Sequence, residues 1–193
     1  CPELRDVLAG VERADSFVTN PHKWLLTTFD CSTFWVRDRS ELVGALSILP
    51  EYLRNAATDS GAVTDYRDWH PQLGRRFRAL KLMAVMRTYG LTGLRDHIRS
   101  GVELAAHLEE LVRADDRFEL VTDRALSLVV FRLRSGDDDT LSAMHAVNAS
   151  GEAYLSHTVV NDRAAIRFAI GSWRTTRSDV ERTWRALQDA AAG

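Results

Sequence analysis

Apolar residues recur at helical spacing over two long stretches in the middle of the chain. Between about Arg75 and Tyr89 they form two stripes, Phe77, Leu80, Ala84 and in part Met83 on one, and Leu82, Val85, Met86 and Tyr89 on the other. Two stripes predict a helix covered on two sides, and Gly90 ends it in the manner of a C-cap. From Gly93 to Ala114, after Thr92 as a candidate cap, one stripe runs through Leu94, Ile98, Val102, Ala105, Leu108 and Val112, the mark of a one-sided amphipath. Further on the pattern shortens to β-type runs, Phe118 to Val121, Ser127 to Leu133, Ala153 to Val160 and Ala164 to Ile170. The turn Asn161-Asp162-Arg163 joins the last two as a hairpin. A helix capped by Asp139 carries Leu141, Met144 and Val147. A final helix opens with Ser178 and Glu181 as a capping box and buries Val180, Trp184, Leu187 and Ala191. Together these predict a small α+β lobe, antiparallel strands with helices on one face.

The first quarter of the chain alternates short elements. A helical turn over Pro2 to Gly10 precedes a strand ending at Thr19, and the β-formers Thr33, Phe34, Trp35 and Val36 predict a strand over Cys31 to Arg37, followed by a turn at Arg37-Asp38-Arg39-Ser40. Two strands make one edge of a sheet and cannot close a core. With no methionine ahead of Cys1, the expectation is that these elements belong to a larger α/β domain that begins upstream. From Pro50 to Gly74 no periodicity holds, and a stretch of that kind inside a compact protein reads either as a functional lid or as a joint.

Composition narrows the function classes. Charged residues are 27% and hydrophobic residues 45% of 193, with a formal net charge of -2, so no general field attracts nucleic acid or an anionic bilayer. The uncharged stretches Trp24 to Phe29 and Ala125 to Phe131 fall well short of the roughly 20 residues that span a bilayer, which makes a cytoplasmic protein the plain expectation. Cys1 and Cys31 are too few for a disulfide framework or a metal cluster.

The candidate chemistry lies at Lys23. The run Asn20-Pro21-His22-Lys23-Trp24 stands between a strand and the apolar run Trp24 to Phe29, so its amine is expected to be half-buried. Desolvating an ammonium is costly, and such a lysine is neutral, paired, or held as a Schiff base; the alternative is a stem that covers apolar neighbours while the amine reaches water. This motif, followed by Leu25, Leu26, Asp30, Cys31 and Trp35, resembles the aromatic-L-amino-acid decarboxylases among the group II pyridoxal-phosphate-dependent decarboxylases. Cys1-Pro2-Glu3-Leu4-Arg5, Asp65-Tyr66-Arg67-Asp68-Trp69, Leu73 to Lys81 and Ile166-Arg167-Phe168-Ala169-Ile170 extend the resemblance over the whole chain.

The resemblance implies a C-terminal portion of a fold-type I enzyme. Residues 1–74 would end the large cofactor domain, 75–114 would link, and 115–193 would form the small α+β domain. It implies pyridoxal 5'-phosphate carried covalently on Lys23, with Asn20 near its phosphate and His22, a further catalytic candidate, in contact with the phosphate or the substrate. For His22 the alternative is a structural histidine bonded to backbone, and for Asn20 a turn-forming role ahead of Pro21. Tyr52 would be the proton donor on a mobile loop, since a phenol stays protonated at neutral pH, or else an aromatic anchor. The implied reaction is decarboxylation of an L-amino acid, aromatic by resemblance, to the amine and CO2. The partners implied are the substrate, the upstream half that completes the site and a second copy in a homodimer; nucleic acid and membrane are not among them. An aldehyde-forming or non-aromatic decarboxylase is the near alternative, and a non-catalytic interaction module keeping the lysine the distant one. Arg75, Arg76, Arg78 and Lys81 are expected to pair with Asp65, Asp68 or a partner subunit, and Arg167 to face away from Ile166 and Phe168.

Overall fold

The computed structural model describes residues 1–48, 56–60 and 62–192. It divides into two compact units, Pro2–Thr88 and Tyr89–Gly193, the latter with Cys1.

In the first unit two 3-10 turns, Pro2–Leu8 and Val11–Arg13, lead into strand β1 (Ser16–Thr19). A one-turn helix α1 (Pro21–Trp24) and a loop connect it to β2 (Thr33–Val36). The strands pair antiparallel with Phe17 opposite Trp35 and Thr19 opposite Thr33, so the segment bearing Lys23 is the connection of a two-stranded ribbon. Helix α2 (Arg39–Leu46) follows, where the sequence reads only as a turn. Its start is set by Asp38, whose carboxylate accepts from the Ser40 amide at 2.8 Å. Short turns α3 (Ala56–Asp59) and a 3-10 turn Tyr66–Trp69 punctuate the aperiodic stretch.

Among the described residues of this unit only Pro21, Thr27, Cys31 and Asp68 are buried. A two-stranded ribbon has too little surface to do better. Helix α4 (Arg78–Arg113) begins here, and its first three turns depart from expectation. Leu80, Met83, Met86 and Tyr89 are about half exposed while Leu82 and Val85 are partly covered, so the first stripe stays open and the second is covered only in part. The periodicity reports what the stripes are suited to bury, and nothing among the described residues of the unit supplies the whole counterpart. At Gly90 the helix breaks with φ 64° and ψ 179°, a conformation open essentially to glycine alone.

The second unit has a true core. Strands β3 (Phe118–Leu120), β4 (Leu128–Leu133), β5 (Ser156–Val160) and β6 (Arg163–Ala169) form one antiparallel sheet in the order β3-β4-β6-β5. Asn161 and Asp162 both take positive φ and make the two-residue hairpin between β5 and β6. Phe118, Val129, Phe131, Leu133, Ile166 and Phe168 meet Ala105, Leu108 and Val112 of α4, Ala143, Met144 and Val147 of α5 (Asp137–Ser150), and Val180, Trp184 and Leu187 of α6 (Arg177–Ala190). Trp184 lies over Phe118 with ring centroids 4.7 Å apart. Alternation sends the intervening residues to the other face, where Glu119 pairs with Arg132 at 2.6 Å and Arg134 at 2.9 Å.

Two helix starts differ from the sequence reading. Helix α5 starts at Asp137 after Gly136, two residues before the expected cap Asp139; the hydroxyl of buried Thr140 donates to the Gly136 carbonyl at 2.7 Å and settles the first turn. Helix α6 is capped by Thr176 with Asp179, two residues ahead of Ser178 and Glu181. Both pairs have the spacing of a capping box. The choice falls to Thr176 because Glu181 is already engaged by Arg177 at 3.1 Å and His107 at 3.0 Å.

Candidate active site

The lysine sits on a turn closed at its base. Pro21 is suited to the first position of α1, where no amide donor is needed, and Asn20 precedes it as N-cap in extended conformation. Asn20 makes no capping bond; its side-chain oxygen accepts from the Ser32 hydroxyl across the ribbon. The Thr27 amide donates to the Pro21 carbonyl at 3.2 Å, and Pro21 and Thr27 are buried. The segment from Pro21 to Trp24 is a helical turn, so His22 and Lys23 diverge by about 100°.

His22 closes the base through Cys31. Its amide donates to the Cys31 carbonyl at 3.2 Å, and the Cys31 amide donates to its ring Nδ1 at 3.0 Å. The Cys31 carbonyl also lies 2.8 Å from Nδ1. The amide suits Nδ1 as an acceptor and the carbonyl suits it as a donor, so Nδ1 is committed to the Cys31 backbone in either tautomer. Phe29 packs edge-on against the imidazole at 4.9 Å between centroids. The backbone contact foreseen as one alternative for His22 is thus present, and it leaves Nε2 outside this clip.

Lys23 is exposed, contrary to the half-burial expected of it. Trp24, Leu25 and Leu26 are only partly covered and Phe29 is 79% exposed, so this chain alone does not desolvate the amine. Among the described residues no carboxylate pairs with it. Tyr52 lies outside the described residues.

Asp30 is a participant that the sequence gives no local reason to single out. Its carboxylate is shared by the guanidinium groups of Arg76 and Arg78, the latter at 3.0 Å. Partial desolvation opposes its charge, but its own backbone amide, Arg78 and the charge of Arg76 outweigh that and hold its pKa below the usual carboxylate range. Asp65 and Asp68, expected alongside a partner subunit as partners for these arginines, pair with Arg67 at 3.1 and 3.7 Å. Arg167 behaves as alternation requires: it lies between buried Ile166 and Phe168, turns the other way and donates to the Ser156 hydroxyl at 3.3 Å.

The donors on this turn suit a phosphorylated aldehyde. A primary amine with no carboxylate partner among the described residues can form an imine, the His22 Nε2 can donate to an anion when it carries a proton, and the Asn20 amide nitrogen remains after its oxygen is engaged. No cluster of metal-ligating side chains occurs among the described residues, and no helix is long and apolar enough to cross a membrane.

This lysine turn in an α/β setting belongs to a known class: residues 1–134 match the family model of the pyridoxal-dependent decarboxylase conserved domain, and the chain belongs to that family. It is 48% identical over 198 residues to tryptophan decarboxylase 2 of Oryza sativa subsp. japonica, across 99% of this chain and 40% of the relative. Among solved structures it is similar to Oryza sativa TDC crystallised with PLP and tryptamine, at 46% identity and TM-score 0.92, over 100% of this chain and 41% of the other. It also matches a Rhodiola rosea 4-hydroxyphenylacetaldehyde synthase, at 41% identity and TM-score 0.87, over 100% of this chain and 40% of the other. The chain thus spans about two fifths of the length of the relatives it matches.

Proposed function

We propose that this chain is the lysine-bearing, C-terminal part of a cytoplasmic pyridoxal-phosphate-dependent decarboxylase that converts an aromatic L-amino acid to its amine and CO2. The observation that carries this reading is the Lys23 amine, without a carboxylate partner among the described residues, on a turn clipped by His22 and Cys31, in a chain closely similar to a TDC crystallised with PLP and tryptamine. When bound, the cofactor supplies a ring that accepts the electron pair of the broken C–CO2 bond.

The chain's own residues divide the remaining work. Lys23 holds the cofactor through Nζ, gives way to the substrate amine, and displaces the product amine at the end. His22 donates from Nε2 and Asn20 from its amide to the cofactor's anionic group. Tyr52 delivers the proton that replaces CO2 at Cα. Residues 1–74 serve as the end of the cofactor domain, 75–114 as link and 115–193 as the small domain. The exposed parts of the α4 stripes and the exposed Phe34 and Trp35 give an upstream half and a second copy in a homodimer the apolar surface they need. Closure by those parts is what would desolvate Lys23.

The second reading is an aldehyde-forming enzyme of the same family, favoured by the likeness to the Rhodiola rosea synthase. Tyr52 argues against it, since aldehyde-forming members of the resembled family tend to have phenylalanine there. One experiment tests the main reading. Borohydride reduction of the cofactor-loaded protein, followed by peptide mass spectrometry, should place the reduced adduct on Lys23; an adduct on another lysine, or none, removes the assignment.

A further inference from the structure

The loop that carries Lys23 is not held by a core. Thr28 and Phe29 are exposed, Leu26 is in a left-handed conformation with φ 56°, and the turn is closed on itself by Thr27 to Pro21, by His22 to Cys31 and by Ser32 to Asn20. Such a closed turn can still tilt as a body. Its downstream end is tied to a separate element at one place: Asp30 spans Arg76 and Arg78 at the start of α4, and the thiol of the next residue, buried Cys31, donates to the Arg78 carbonyl at 3.9 Å. A path of direct contacts therefore runs from Lys23 through its neighbour His22 to Cys31, Asp30 and the first turn of α4.

We propose that Asp30 is a positioning residue for the Lys23 amine, acting by fastening the lysine loop to α4 through Arg76 and Arg78. This rests on the cofactor-lysine reading above. Arg78 is the stiffer partner, with a side chain 23% exposed against 73% for Arg76, so it sets the angle while Arg76 adds charge. Exposed ion pairs add little to global stability, so the loss of Asp30 should register in the placement of Nζ more than in the melting temperature. Small misplacement of a covalent partner is amplified in rate and affinity.

The second unit contains a control. Glu109 bridges two arginines in the same way, Arg113 at 2.8 Å and Arg124 at 2.9 Å, on the stretch of α4 beyond the break at Gly90, to which no role in the chemistry is given. In the cofactor-loaded complete enzyme, Asp30→Asn is expected to weaken cofactor binding about tenfold and to lower kcat more than it changes KM. It should also displace the midpoint at which the bound cofactor's visible absorbance titrates with pH, with Tm nearly unchanged. Arg78→Lys, which keeps the charge and loses the fork, should shift the same quantities in the same direction by less, and serves if Asp30→Asn does not fold. Glu109→Gln should leave the absorbance titration and cofactor affinity as in the wild type. If Asp30→Asn or its Arg78→Lys substitute matches Glu109→Gln in affinity, absorbance titration and kcat, Asp30 is a surface ion pair and the proposal falls. Wild-type protein carrying the borohydride adduct anywhere but on Lys23 would overturn the underlying reading instead, whatever Asp30 does.

Discussion

At the scale of single residues, the lysine turn separates two requirements that the motif presents together. Holding the amine in place is met within the chain, by Pro21, His22, Thr27 and Cys31, whereas drying it is not, because Lys23 and Phe29 are open to solvent. In the proposed reading Tyr52 returns the proton. In the complete enzyme Tyr52→Phe removes a hydroxyl and little volume, so cofactor affinity should be unchanged while amine formation slows by about a hundredfold, the usual worth of a positioned proton donor. Amine and aldehyde quantified together at equal times check this, and a rising aldehyde share in the presence of oxygen is expected. Amine formed at the wild-type rate would return Tyr52 to an anchoring role.

At the scale of elements, Gly90 and Gly44 make opposite predictions from the same substitution. Gly90 interrupts α4 at φ 64° and ψ 179°, and although an added Cβ there would meet nothing within 4 Å, the backbone conformation itself excludes it. Gly90→Ala should cost about 1–3 kcal/mol. Gly44 lies inside α2 with ordinary φ and open space around it, so Gly44→Ala should stabilise by about 0.5–1 kcal/mol through the unfolded chain. Chemical denaturation midpoints of the two variants distinguish strain from space. Equal shifts for both would mean that the break at Gly90 is not set by its φ.

At the scale of the whole molecule, carboxylates held in the charged form tie stability to pH. The second unit is laced with them. Thr176 through its side chain and its amide, together with Arg182, brings Asp179 down to about 2, and Arg117 foremost, with Gln188, holds Asp115 well below the usual range. Their pKa values are depressed on folding, so the stability they contribute is complete above the unfolded value near 4 and is lost as pH falls through the folded value. Melting temperature should hold down to about pH 4 and then decline toward pH 2. Asp179→Asn should flatten that decline; a variant with the wild-type slope would show that the Thr176–Asp179 cap does not govern it.

Much of this was legible in the order of residues because it depends on near neighbours. Hairpin residues Asn161 and Asp162, the amphipath from Leu94 to Val112, the alternation that turns Arg167 away from Ile166 and Phe168, and the motif around Lys23 are all local patterns, and local sterics and periodicity decide them. Tertiary structure alone decided the rest. The sharing of Asp30 between Arg76 and Arg78 joins positions 46 and 48 residues apart, and the choice of Thr176 over Ser178 as cap depends on Glu181 meeting His107, 74 residues away. The stripes on the first turns of α4 show the limit most plainly. A sequence specifies which surfaces would rather leave water, but whether Leu80, Met83 and Met86 do so depends on a facing surface, and coverage is a property of the assembled fold.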